Sequence, residues 1–324
     1  MPRATAATVV LLLLAHLACA PHRAYAQFKE QPITKGPQFG TPVSQKLQVG
    51  VVIKAEGGPC GGLMATVPVP CDWPEQTVKI VDEELLSAPS VRYRTTAGHL
   101  KQMLIEVAQL PTGQVAKAIV TLEVSHAPQL APADPSVFKI PKKVDRQLVI
   151  YTGSSPMIET RHAKIASLAK QLAADQETAW GHVQAIYEWV AANIKIKAGD
   201  LKGAAKALND KGGDVEDLTS LFIALCRASK IPARTVWVPQ SCYAEFYLVD
   251  EDGTGYWFPV QLGEIRSFGR TDETRPILLK GDNFKDPERP REHFRFVPEF
   301  VKGSAVKGGG RPKVEFVRKT AGEP

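Results

Sequence analysis

The sequence predicts an α+β protein: a small β-rich part, then helices packed on an antiparallel sheet. Three observations carry this. Between Lys46 and Val124 the apolar residues fall in short strand-like runs separated by Gly, Pro and polar clusters. After a Pro-rich passage the apolar spacing becomes helical, from about Ser155 to Leu225. Beyond Pro232 it returns to strands, and helices followed by strands are the mark of an α+β domain. With 324 residues, 44% hydrophobic and 23% charged, the chain has globular proportions, which excludes a wholly disordered or fibrous protein.

Residues 1–26 read as an export signal. Arg3 gives a short positive start, an apolar run follows from Val9, and Ala24-Tyr25-Ala26 has the small-x-small form of a cleavage site before Gln27. Lipid-anchor cleavage at Cys19 competes with it, but His16 stands where such a site wants an aliphatic residue. The apolar run is too short for a permanent membrane span, and no later stretch reaches 18 apolar residues. An exported product, secreted or periplasmic, is therefore expected.

Residues 27–126 form the expected β-rich domain, with strands over 47–53, 63–69, 77–81, 101–107 and 116–124 in a small antiparallel sheet or sandwich. Residues 127–144 are a linker, marked by Pro128, Pro132, Pro135 and Pro141. Residues 145–300 form the second domain. Residues 301–324 read as a basic, solvated tail, with Lys302, Lys307, Arg311, Lys313, Arg318 and Lys319. The chain's 40 basic and 34 acidic residues are otherwise mixed along most of its length, so the formal charge of +6 implies no nucleic-acid partner.

Within the second domain Ser155 can cap a helix with Pro156 at its first position, and Ile158, Ile165, Leu168 and Leu172 line one face. A second helix carries Trp180, Val183, Ile186, Tyr187, Val190 and Ile194. A short piece over 204–208 leads into Gly212-Gly213, and Asp214 then caps a long helix with Asp217 three residues on and Leu218, Leu221, Phe222 and Leu225 facing inward. Strands are predicted over 234–238, 243–249 and 256–260. A contact between Arg234 and Glu245 is in reach of this arrangement, with a solvated pair as the expectation. Asp250-Glu251-Asp252-Gly253 lacks the remaining spacing of a calcium loop and reads as a polar turn.

Four cysteines lie beyond the export segment: Cys60, Cys71, Cys226 and Cys242. In an oxidising compartment Cys60 and Cys71 form a candidate disulfide if the stretch between them doubles back, a bridge contributing about 2–3 kcal/mol. Two free, partly buried thiols are the alternative. No CxxC pair, HExxH helix or Gly-rich phosphate loop occurs, so neither a metal nor a nucleotide cofactor is expected.

The block that begins Gly213-Asp-Val-Glu-Asp-Leu-Thr-Ser-Leu-Phe-Ile-Ala-Leu-Cys and runs to Arg234 resembles the transglutaminase-like superfamily. The blocks Ser241-Cys-Tyr-Ala-Glu-Phe-Tyr-Leu248 and Tyr256-Trp-Phe-Pro-Val-Gln261 match its next two motifs, so the resemblance covers roughly Ile158 to Leu262. It implies a papain-like fold and thiol-based acyl transfer or amide hydrolysis. In that family a Cys opens the long helix, a His begins the next motif strand and an Asp ends the following one. Here Val215, Ser241 and Gln261 stand at those positions. A helix N-terminus lowers a thiol pKa, a His takes the proton, and the third residue orients the imidazole. Valine offers nothing to deprotonate.

No replacement is evident in the sequence. His99, His126, His162, His182 and His293 lie outside the three blocks. Cys226 is eleven residues beyond Val215, roughly 16 Å along the helix. Cys242 follows Ser241 on a strand and is expected on the opposite face. Both cysteines read as small buried hydrophobes. Two functions follow: a non-catalytic exported module that binds peptide or protein in a transglutaminase-like groove or on its β domain, or an active thiol-dependent acyl transferase or peptidase with a rearranged site. A purely structural role is a third reading.

Overall fold

The computed structural model describes residues 36–320 apart from 88, 97, 98 and 305, so the predicted export segment lies outside the described residues. The N-terminal strands are Val43–Lys54 (β1), Cys60–Pro68 (β2), Gln76–Leu86 (β3), Ser90–Thr96 (β4), Leu100–Leu110 (β5) and Val115–His126 (β6). Their alternation explains how they pack. In β1, Leu47, Val49, Val51 and Ile53 all point inward, and in β6 Ala116, Ala118, Val120, Leu122 and Val124 do the same. Two facing sheets therefore share one apolar core, with Ala65, Val67, Met103 and Ile105 coming from β2 and β5. Gly50 lets β1 lie close on β6, because a Cβ there would sit 2.1 Å from the carbonyl oxygen of Ala118.

The helices follow as Ala163–Ala173 (α1), Ala179–Asn193 (α2), Ala204–Asp210 (α3) and Val215–Ala228 (α4). The sheet behind these helices comprises Ala233–Val238 (β7), Ser241–Val249 (β8), Gly255–Leu262 (β9), Arg266–Phe268 (β10) and Leu279–Lys280 (β11), in the order β10-β9-β8-β7-β11. α4 is its central helix. It packs on β8 and is flanked by α1, α2 and α3, so every residue from Asp217 to Arg227 is buried. Asp214 caps α4 as the sequence predicts. Its carboxylate accepts from the Asp217 N–H at 2.7 Å, and Asp217 answers from the Asp214 N–H at 3.3 Å. The other Asp217 oxygen accepts from the N–H groups of Lys202 and Gly203, which ties the entry to α3 to the start of α4.

The first predicted helix starts later than expected. α1 begins at Ala163 with His162 at the N-cap, while Ser155 and Ile158 exchange backbone hydrogen bonds in a tight turn. The Ser155 hydroxyl donates to Asp282 at 2.7 Å instead of capping a helix.

The chain then returns to the N-terminal strands. Phe300–Ser304 (β12) pairs with β2, and Lys313–Thr320 (β13) pairs with β1 along its whole length. The two sandwich sheets are thus β12-β2-β5-β4 and β13-β1-β6-β3. This corrects the expectation of a solvated basic tail. Val314 and Phe316 pack on the sandwich core, while Lys313, Glu315 and Lys319 face water, so the alternation of an edge strand is hidden under the basic charge. A chain ending at Arg311 is expected to lose at least about 3 kcal/mol, roughly the burial of two large side chains, visible as a lower calorimetric midpoint. An unchanged melt would show that β13 adds nothing to the fold.

The Cys60–Cys71 bridge is also corrected. The stretch between them does not double back; β2 runs straight from Cys60, opposite Leu110, to Pro68, opposite Gln102. At roughly 3.3 Å per residue those ends lie about 26 Å apart, against the 7 Å limit between bridged Cα atoms. Both thiols are free, Cys60 donating to the carbonyls of Gly58 and Gly310, and Cys71 to that of His99.

Candidate functional site

Val215 is the first residue of α4, one position after its capping Asp214. Ser241 opens β8 directly after the two-residue turn Pro239-Gln240, which adopts a positive φ of 60° at Gln240. Gln261 lies near the end of β9, where its side-chain oxygen accepts from the Ser267 hydroxyl of β10 at 2.8 Å. Far apart in sequence, the three line one cavity of about 320 Å³. Gly263 forms its floor beside Val215, a Cβ there lying 3.6 Å from both valine methyls.

A second cavity of about 560 Å³ opens from the same place and shares Val215, Ser241 and Cys242. It runs between Trp237, Leu278 and Phe296 and is bordered by Arg318 and Thr320 of β13. The C-terminal strand therefore walls the groove as well as completing the sandwich. At the helix start, Arg295 donates to Glu216 at 2.8 Å, to Ser220 at 3.0 Å and to the Pro156 carbonyl at 2.9 Å. On the other side Arg275 pairs with Glu273 at 2.6 Å, and both line the smaller cavity. Arg295, Glu273 and Arg275 lie beyond the three motif blocks, in irregular segments where the sequence gives no periodic signal.

Cys242, expected on the face opposite Ser241, is buried, yet it contributes with Ser241 to the wall of both cavities, because β8 begins at their rim. Burial pushes its thiol up to about 12, with Glu216 adding to the rise and Arg295 opposing it. Cys226 is fully buried among the helices, and burial raises its thiol too. Both remain protonated at neutral pH and are poor nucleophiles. Among the described residues no histidine lines either cavity. His126 comes to the margin, its Nδ1 lying 2.7 Å from the carbonyl oxygen of Arg275, and burial lowers its pKa. His182 lines a separate cavity beside Phe138 and Lys139.

The contact between Arg234 and Glu245 is a further correction. It is no solvated pair: the two side chains are 7% and 1% exposed and meet at 2.7 Å.

Residues 166–262 match the model of the transglutaminase-like superfamily. This segment is a transglutaminase-like core. It runs from α1 to the end of β9 and includes Val215, Ser241 and Gln261. Among solved structures, a candidate cysteine protease from Cytophaga hutchinsonii has the same fold, with a TM-score of 0.54 at 15% identity over 87% of this chain and 92% of that one. The periplasmic domain of TgpA from Pseudomonas aeruginosa matches with a TM-score of 0.36 at 14% identity, over 70% of this chain and 72% of that domain. A candidate protease from Parabacteroides distasonis matches with a TM-score of 0.29 at 13% identity, over 74% of this chain and 49% of that one. No curated protein matches the sequence. The first of these structures extends the likeness beyond the transglutaminase-like core to the sandwich that flanks it.

Proposed function

We propose that the chain is an exported, non-catalytic transglutaminase-like protein that binds a peptide or protein segment in the groove over Val215. One observation carries this reading: Val215, Ser241 and Gln261 converge on one cavity at the N-terminus of α4, in place of thiol, imidazole and carboxylate. None of the three can take the missing part. Valine has no nucleophile, and Ser241 has no base beside it, since no imidazole lines the groove among the described residues. The capped helix, the sheet and the open groove remain, and Trp237, Leu278 and Phe296 give it an apolar wall suited to side chains of an extended segment. Export is supported by the segment before Gln27. Among the described residues no helix is long and apolar enough to cross a membrane.

A second reading rests on Cys242, the thiol that lines both cavities. It makes the chain an active acyl transferase or peptidase with a rearranged site. Transamidation and peptidase assays on the natural protein and on Cys242→Ser separate the two. We expect no iodoacetamide-sensitive turnover in either. Sites stripped of their triad elsewhere retain about 10³–10⁴-fold over water, so the measure is sensitivity to alkylation and not trace turnover. Robust turnover abolished by Cys242→Ser overturns the non-catalytic reading in favour of the second.

A further inference from the structure

The face of the five-stranded sheet turned away from α4 carries a separate set of charges and rings. Phe246 and Ala244 of β8 point into the helical core, so Glu245 points the other way, with Arg234 opposite it on β7, and Trp257 of β9, the partner of Tyr247, lies on the same face. Glu245 accepts from Arg234 Nε at 2.8 Å and from its Nη2 at 2.7 Å, both on the same oxygen. Its other oxygen accepts from Lys280 at 2.6 Å, and Lys280 also bonds Glu75. Burial works against the Glu245 carboxylate, but Lys280 and Arg234 outweigh it and hold the group below the usual range. The Arg234 guanidinium is thereby fixed in orientation, 3.9 Å over the ring of Trp257 and 5.7 Å from that of Tyr151, with Nη1 left outside the Glu245 pair.

Two carboxylates and two cations cancel in number but not in position. Glu75, Glu245 and Lys280 line a cavity of about 290 Å³ on one side of Arg234. On the other side lies a cavity of about 520 Å³, walled by Thr95, His99, Arg146, Tyr151, Arg234 and Trp257 among others, and among the described residues no carboxylate lines it. The ion pair is thus polarised, its positive end toward the larger cavity. Arg146 adds an exposed cation at the mouth, while Tyr151 and Trp257 offer flat apolar surface within. A guanidinium fixed before any ligand arrives loses little freedom on binding. The volume falls in the usual range for small-molecule sites.

We propose that this cavity is a ligand site, separate from the groove over Val215, for a small molecule bearing a carboxylate or phosphate on a planar apolar body. The acid group meets Arg234 Nη1 and Arg146, and the body lies against Trp257 and Tyr151.

Titration of the whole chain with benzoate, phenyl phosphate and neutral benzamide, followed by calorimetry and tryptophan fluorescence, tests this. Saturable binding is expected for at least one of the two acids, the tighter one identifying the acid group, and none for benzamide at the same concentrations. Arg146→Glu is expected to weaken the acid about tenfold or more, the size of one lost charge-assisted contact, without moving the thermal midpoint. Because Arg146 is exposed, this variant keeps the test open if Arg234 variants fail to fold. Val215→Cys with Ser241→His is expected to leave the affinity unchanged, which separates this site from the groove. Failure of both acids to saturate, equal binding of benzamide, or an unaltered affinity in Arg146→Glu overturns the proposal.

Discussion

Replacing Asp282 with Ala is expected to destabilise the protein by about 3–5 kcal/mol, the cost of stranding a buried cation. Asp282 and Arg227 are both fully buried, and Arg227 Nη2 reaches the two carboxylate oxygens at 2.8 Å each. The pair is a junction of distant segments. Arg227, in the last turn of α4, also donates to the carbonyls of Ala233 and Gly153 and to the Ser155 hydroxyl. Asp282 accepts in addition from Ser155 and from the Thr235 N–H. Removing the carboxylate leaves a buried guanidinium without its counter-charge and takes an acceptor from a backbone N–H and a hydroxyl together. Asp282→Asn keeps an acceptor and loses only the charge, so its denaturant midpoint is expected between those of the natural protein and Asp282→Ala. A loss below about 1 kcal/mol in Asp282→Ala would mean that water or a shifted side chain replaces the carboxylate.

Much of the core was legible because its signals are local. The Asp214–Asp217 capping box sits within one turn, α2 and α4 show their inward positions at helical spacing, and three motif blocks placed Val215, Ser241 and Gln261 on elements that bring them together. What escaped depends on partners far away in the sequence. β13 is recognisable as a strand only beside β1, more than 250 residues earlier, and its alternation of Val314 and Phe316 with charged residues resembles a solvated end when read alone. β4, with Arg92, Arg94 and two threonines, has too few apolar residues to register as a strand; it forms because β5 offers it an edge. Ser155 had two uses for its hydroxyl, and Asp282, 127 residues later, decided between them. Arg234 and Glu245 are charged residues whose burial depends on Lys280, Glu75 and the ring of Trp257 closing over them. Composition cannot report such an enclosure.

The groove reading leads to the second large effect, which is gain of reactivity. Val215→Cys with Ser241→His is expected to create a thiol that alkylates at neutral pH at least about tenfold faster than any cysteine of the natural protein, as a thiol beside an imidazole at a helix N-terminus should. The site has room: Val215 and Ser241 already border one cavity of about 320 Å³, and cysteine is smaller than valine. The charges there are not wholly favourable. Asp214 and Glu216 flank position 215, and only Glu216 has an arginine partner, so the helix N-terminus alone should activate the new thiol weakly. Val215→Cys by itself is therefore expected to gain much less than the double variant, and the difference between them measures the contribution of the imidazole. Adding Gln261→Asp gives up the hydrogen bond from Ser267 in exchange for a carboxylate that can orient the ring, so it should sharpen the pH profile of alkylation more than it raises its ceiling. Among the described cysteines the background is low: burial pushes Cys242 up to about 12 and Cys71 up to about 11, and Cys60 and Cys226 are buried. If the double variant alkylates no faster than the natural protein, positions 215 and 241 do not face each other as nucleophile and base. The non-catalytic reading would then lose its geometric footing, whatever the natural protein fails to hydrolyse.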